Sequence, residues 1–191
     1  MTLPPVTLTP LRSADWPAVH SWASLPEVCR HQAWGPNSEA QSREFVRRAV
    51  EARAADPQVR YPYLVRLGEQ AGDPVGMAEV HVRSRAHRQG EITYALHPRA
   101  WGRGVGTATA RALLTVAFGE LGLHRVQATC DPRNLGSARV LAKAGLREEG
   151  LLRHTALLRD GWRDSLVFGL LAEEFGPTGL GGPAGQDLAD C

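Results

Sequence analysis

The chain has 191 residues, with 22 basic and 20 acidic side chains, a formal charge of +2, and a hydrophobic fraction of 43%. That length favours one domain, and that fraction is enough for a core, so a disordered chain is excluded. The near-neutral balance argues against a dedicated nucleic-acid binder, which would carry a clustered basic excess. No apolar run approaches the ~18 residues of a membrane span, and Met1 to Pro10 lacks a charged region followed by an apolar stretch. The expectation is therefore no membrane contact and no signal peptide. Cys29, Cys130 and Cys191 are too few and too widely spaced for a disulfide framework or a zinc site, which suits a cytoplasmic protein with free thiols. Every basic residue except Lys143 is arginine, a skew that reads first as a GC-rich genome.

Val6 to Leu11 alternates apolar and polar and predicts a first strand. Ser13 and Asp15 can cap a helix running to about Leu25. Ser38 and Gln41 have capping-box spacing, and Phe45, Val46, Ala49 and Val50 recur at helical spacing until Asp56-Pro57. Three strand-like runs follow: Tyr61 to Leu67, Val75 to Val82 and Ile92 to Leu96, with a turn at Gly72-Asp73-Pro74 and a polar loop from Arg83 to Gly90. The pattern so far is helices, then an antiparallel meander.

The chain then changes character. Pro98 to Gly106 is a basic, glycine-bearing loop, and Thr107 to Leu121 predicts a long helix ended by Gly122. Arg125 to Cys130 is a short strand. This strand–loop–helix–strand unit is a crossover, so Ile92–Leu96 and Val126–Cys130 are expected to run parallel. Asn134 to Ala144 predicts a further helix closed by Gly145. Leu146 to Leu158 and Trp162 to Leu171 form a hairpin through Arg159-Asp160-Gly161. Residues 1–175 read as one domain. Residues 176–191, with five glycines and two prolines, read as a disordered tail.

Two constellations carry chemistry. In Trp101-Gly102-Arg103-Gly104-Val105-Gly106-Thr107, glycines let backbone N–H groups converge ahead of a helix whose N-terminus is partially positive. That arrangement suits a phosphate or pyrophosphate. No Gly-Lys-Ser/Thr follows, so it is not a Walker loop, and the spacing and mid-chain position do not suit a dinucleotide fingerprint. The second is Asn134-Leu135-Gly136-Ser137, followed by Arg139, Lys143 and Gly145, just past the parallel strand. Its ordinary alternative is a helix cap.

In this order and spacing, the two elements resemble the GNAT family of acyl-CoA-dependent N-acyltransferases, and within it the RimJ/RimL branch. The likeness covers roughly residues 5–175. It extends to Val28–Pro36 with Arg30 and Trp34, to Gly90–Leu96 running into Pro98, to His124-Arg125-Val126, to Glu149-Gly150 and to Asp160-Gly161 through Asp164. Three positions depart from it. Trp101 stands where the superfamily has glutamine or arginine, Thr109 or its neighbours replace a glutamate, and Leu146 replaces an aromatic residue. The resemblance implies an α/β (α+β) fold: a mixed, mostly antiparallel sheet of about seven strands with a splayed parallel pair, flanked by about four helices.

The resemblance further implies acetyl-CoA in the cleft between the parallel strands. Backbone amides of Arg103, Gly104, Val105, Gly106 and Thr107 would hold the pyrophosphate, and the main chain of Leu96 and His97 would pair with the pantetheine. Asn134 would bind the pantetheine arm, and Arg139 and Lys143 would reach CoA phosphates. Transfer to an amine needs ammonium deprotonation, oxyanion stabilisation and an acid for the departing thiolate. Ser137 is the candidate acid or sulfur contact and Glu91 the candidate base, with Glu79 in reserve. Arg30, His31 and Trp34 fall in the acceptor-binding region. No metal is needed, and the seven histidines show no HxxxH-type pairing. The expected function is direct acetyl transfer from acetyl-CoA to a primary amine (a protein N-terminus, an amino acid or a small amine) by a monomer or homodimer. The competing reading is a catalytically silent acyl-CoA-binding sensor.

Overall fold

The computed structural model describes residues 2–68 and 72–176. One seven-stranded sheet organises the chain, in the order β1-β2-β3-β4-β5-β7-β6. Its strands are β1 (Val6–Pro10), β2 (Arg60–Leu67), β3 (Pro74–Ser84), β4 (Gln89–Leu96), β5 (Arg125–Cys130), β6 (Arg147–Leu158) and β7 (Gly161–Leu171). Among the described residues, five α-helices accompany them: α1 (Trp16–Ala23), α2 (Pro26–Cys29), α3 (Glu39–Arg53), α4 (Val105–Thr115) and α5 (Leu135–Ala144). The expected mixed sheet is present, with one helix more than expected. That extra helix, α2, is a single turn started by Pro26. A leading proline has no N–H to leave unpaired and is preset for helical φ.

Local signals account for most boundaries. The Ser38 hydroxyl accepts from the Gln41 N–H at 3.3 Å, and the Gln41 side chain accepts from the Ser38 N–H at 2.8 Å, so α3 opens with the expected capping box. The expected helix from residue 13 to 25 is instead a 3-10 turn, Ser13–Asp15, followed by α1. Asp15 accepts from the Arg12 N–H at 2.8 Å and so closes that turn rather than capping α1. The long helix starts two residues earlier than expected, at Val105, and ends in a π turn over Val116–Glu120. Leu158 pairs with Gly161 across the predicted hairpin. The expected tail beyond residue 176, including Cys191, lies outside the described residues.

Alternation along the central strands divides the core into two layers. Val80, Ile92, Leu113, Leu114, Val126 and Leu141 form the layer shared with α4 and α5. Val19, Trp22, Val46 and Leu64 form the layer shared with α1 and α3, and Ala95 packs against it. On the far edge, β6 is exposed along most of its length, and Leu151, Leu152, Leu157 and Trp162 present apolar surface. Among the described residues, no helix is long and apolar enough to cross a membrane.

The expected splayed parallel pair is present. β4 and β5 pair only through Gln89↔Arg125, Gly90↔Val126 and Glu91↔Gln127. Residues 92–96 of β4 and 128–130 of β5 therefore lie past the end of the ladder. The strands diverge there, and their inward main-chain groups lose strand partners. That divergence creates the cleft.

Candidate functional site

At one mouth of the cleft is the glycine loop. Gly104 precedes α4 with φ +80°, a conformation that glycine adopts without Cβ strain. The first intrahelical bond runs from the Ala108 N–H to the Gly104 carbonyl at 3.0 Å. The N–H groups of Val105, Gly106 and Thr107 thus have no intrahelical acceptor and form an anion-ready first turn. A Cβ on Gly106 would stand 3.0 Å from Val140 Cγ2 of α5, so glycine there permits the close approach of α4 to α5. Arg103, Arg139 and Lys143 make no ion pair among the described residues, which leaves their charges available to an anion.

Leu96 and His97 end β4 differently. The His97 N–H donates to the Val75 carbonyl at 2.8 Å, and its carbonyl accepts from the Ala100 N–H. Its main chain is committed to neighbours, so pairing with a ligand strand is not open to it. Adjacent residues on a strand turn their N–H and C=O to opposite sides, so those of Leu96 face away from β3. The Leu96 carbonyl accepts from the Trp101 indole at 2.9 Å. Trp101 therefore has a defined task at the position where the family pattern has glutamine or arginine. Burial, reinforced by Arg99, lowers the His97 imidazole pKa.

Deeper in, a cavity of about 140 Å³ lies between the diverged strands. It is lined by Ile92, Thr93 and Tyr94 from β4, Ala128–Cys130 from β5, and Asn134, Ser137 and Leu141 around α5. His31, Gln32, Asp131 and Arg163 complete it. The Asn134 side chain accepts from the Ser137 N–H at 3.0 Å, which is a helix cap. This cap holds the Ser137 hydroxyl 3.2 Å from the Tyr94 phenol. Burial pushes the Tyr94 phenol up to about 12, against the opposing pull of Ser137, so its proton stays in place at neutral pH. Burial also raises the Cys130 thiol, which keeps it a packing group rather than a thiolate.

Asp131 was not singled out from the sequence, yet its side chain is fully buried at the cleft. Its carboxylate accepts from the Arg133 backbone N–H at 2.8 Å, from Arg133 Nε at 3.0 Å and from Nη2 at 2.8 Å. Burial alone would raise this carboxyl, but Arg133 and then His31 outweigh it and hold it at about 2. An ionised carboxylate only accepts, so His31 Nδ1–H must be the donor in their 3.2 Å contact. A neutral His31 is thereby fixed with a bare Nε2. Arg133 also reaches Asp160 at 2.5 Å. Arg30, His31, Arg133 and Asp160 line a second hollow of about 410 Å³ beside the first. Nothing in Asp131-Pro132-Arg133 marks this network locally, because His31 is a hundred residues away.

Three expected site residues sit elsewhere. Glu91 lies in the part of β4 that is still paired, 3.5 Å from Arg83, and is not among the cavity-lining residues. The ladder explains this: Glu91 is the last residue of β4 paired with β5, and only the strands beyond it diverge. Glu79 is held by Arg60 through bonds of 2.7 and 2.8 Å, a structural ion pair. Trp34 is 36% exposed, neither core nor cavity lining, and its carbonyl accepts from Arg159 at 2.8 Å. Among the described residues, no cluster of three His, Cys, Asp or Glu could hold a metal.

Comparison with known proteins agrees with this architecture. The acetyltransferase (GNAT) domain family matches residues 6–147. The uncharacterized N-acetyltransferase YnaD of Bacillus subtilis is 28% identical over 161 residues, 84% of this chain and 90% of YnaD. The crystal structure of a GNAT-family acetyltransferase from Bacillus anthracis is 28% identical with a TM-score of 0.78, over 91% of this chain and 98% of that one. Mycobacterium smegmatis RimJ, in complex with CoA-disulfide, is also 28% identical, with a TM-score of 0.77 over 90% of this chain and 84% of RimJ. With a splayed parallel pair, an amide-rich helix start at one end of the cleft and a family match over most of its length, this chain belongs to the GNAT acetyltransferase family and is an N-acetyltransferase.

Proposed function

We propose that the protein is a RimJ/RimL-type cytoplasmic enzyme, a single domain over residues 1–175, that transfers acetyl directly from acetyl-CoA to a primary amine with no acyl-enzyme. One observation carries this reading. The start of α4 packs at Gly106 against Leu96 of β4 and Val140 of α5, the same strand and helix that bring Tyr94 and Ser137 together. Acetyl-CoA supplies the activated acyl group. The amides of Arg103 to Thr107 would hold its pyrophosphate, Leu96 and Asn134 its pantetheine arm, and Arg139 and Lys143 its phosphates.

The proton transfers follow from the residues around the cavity. Ser137, hydrogen-bonded to a phenol that keeps its proton, donates toward the departing sulfur. His31 takes the proton of the incoming ammonium at Nε2, because Asp131 occupies Nδ1–H. This role passes to His31 from Glu91, whose carboxylate pairs with Arg83. The test combines calorimetric titration of acetyl-CoA with a CoA-thiol release assay over amines, amino acids and peptides. Binding followed by amine-dependent release supports the reading. Binding with no release for any acceptor means an acyl-CoA sensor.

A further inference from the structure

Arg163, on β7, has no part in the reading above, yet it lines the cavity beside Ser137 and His31. Its Nη2 donates to Ser165 Oγ at 3.1 Å, but its Nε is buried and has no hydrogen-bond partner. A buried guanidinium N–H without an acceptor is costly, and such groups are normally satisfied. Among the described residues, no carboxylate lies within ion-pair distance of Arg163. The cavity lining therefore includes a guanidinium that no carboxylate neutralises.

The surrounding charges point the same way. The two hollows together present Arg30, Arg133 and Arg163 against Asp131 and Asp160. Both carboxylates are already bound by Arg133. Neither is left to neutralise a polycation, so an amine with further positive charges would meet repulsion here. An amine with its own carboxylate would instead satisfy Arg163 through a charge-assisted bond.

Resting on the acetyltransferase reading above, we infer that the acceptor is an amine bearing a nearby carboxylate, an α-amino acid or its equivalent, whose carboxylate is held by the Arg163 guanidinium. The bond orients the amine, and its nitrogen presents its proton to His31. The ordinary fold of the domain does not depend on it.

The test uses the full chain with acetyl-CoA and matched acceptors: a panel of L-amino acids, their C-terminal amides, peptides beginning with aspartate or glutamate, and spermidine. The expected result is a kcat/KM for the best amino acid at least about 30-fold above that of its amide, with spermidine below both. In Arg163→Met this ratio falls to about 3-fold or less, while Arg163→Lys retains part of it. Preference for acid-first peptides over free amino acids keeps the carboxylate requirement but assigns it to a peptide side chain. Amides or spermidine turned over as well as amino acids overturn the inference and leave the acetyltransferase reading standing. An equal fall for every acceptor in Arg163→Met also overturns it, because the guanidinium would then serve the acyl group. Failure of the wild type to bind acetyl-CoA overturns the reading beneath it, and the inference with it.

Discussion

Asp131→Asn separates charge from shape at the centre of the site. The native carboxylate accepts from three N–H groups of Arg133 and from His31 while its side chain is fully buried. Its pKa falls from an ordinary 3.8 to about 2 in the folded protein. That difference corresponds to about 2 kcal/mol of folding stability. Because the folded value lies below the unfolded one, this stability is complete above about pH 4–5 and is lost as pH falls toward about 2. The asparagine cannot ionise, and its amide must present an N–H toward either Arg133 or His31. The variant should therefore unfold about 2 kcal/mol more easily at pH 7, which lowers Tm by about 4–8 °C in a chain of this size. The gap should close as pH approaches 2–3. Urea unfolding followed by circular dichroism at pH 7 and at the lowest pH where both proteins remain folded measures it. Turnover should also fall about 10- to 100-fold at saturating acetyl-CoA, with acetyl-CoA affinity unchanged, because His31 loses the partner that fixes its tautomer. An Asp131→Glu variant should recover part of that loss only if its carboxylate again reaches His31. A stability gap that stays constant with pH would refute the electrostatic argument, leaving a steric one. Unchanged turnover would refute the positioning of His31.

Three further outcomes are expected. Ser137→Ala should lower kcat about 10-fold or more without weakening acetyl-CoA binding in calorimetry, and should cost about 1–3 kcal/mol because the Tyr94 phenol loses its partner. Glu91→Gln should leave turnover within about 3-fold of wild type, since the residue pairs with Arg83 outside the cavity; a larger loss returns the base role to Glu91. Gly104→Ala places a side chain at φ +80° and 3.2 Å from Pro4, so it should cost about 1 kcal/mol and weaken acetyl-CoA binding measured by titration.

Much of the architecture was legible because local rules suffice for it. The Ser38–Gln41 box, the turn before Gly161 and the glycine before α4 each depend on residues within one turn of chain. The apolar runs of β2, β3 and β7 coincide with residues that these strands bury, so the runs themselves mark the strands. Other features were not legible for equally definite reasons. The position of Glu91 on β4 could be read from the sequence, but only the observed ladder shows that pairing with β5 stops there. His97 looked available at a strand end, and its N–H is taken by Val75 of a neighbouring strand.

By itself, the amino-acid sequence determined the order of helices and strands, the anion-ready glycine loop and the Asn134–Ser137 element, since each is written in residues close together along the chain. Tertiary structure alone decided which side chains share the cavity. His31 meets Asp131, Tyr94 meets Ser137, and Arg163 is left with an unpartnered Nε, all across long separations in sequence. Those pairings depend on where two parallel strands cease to hydrogen-bond, which is a property of packing on both faces of the sheet rather than of either strand alone.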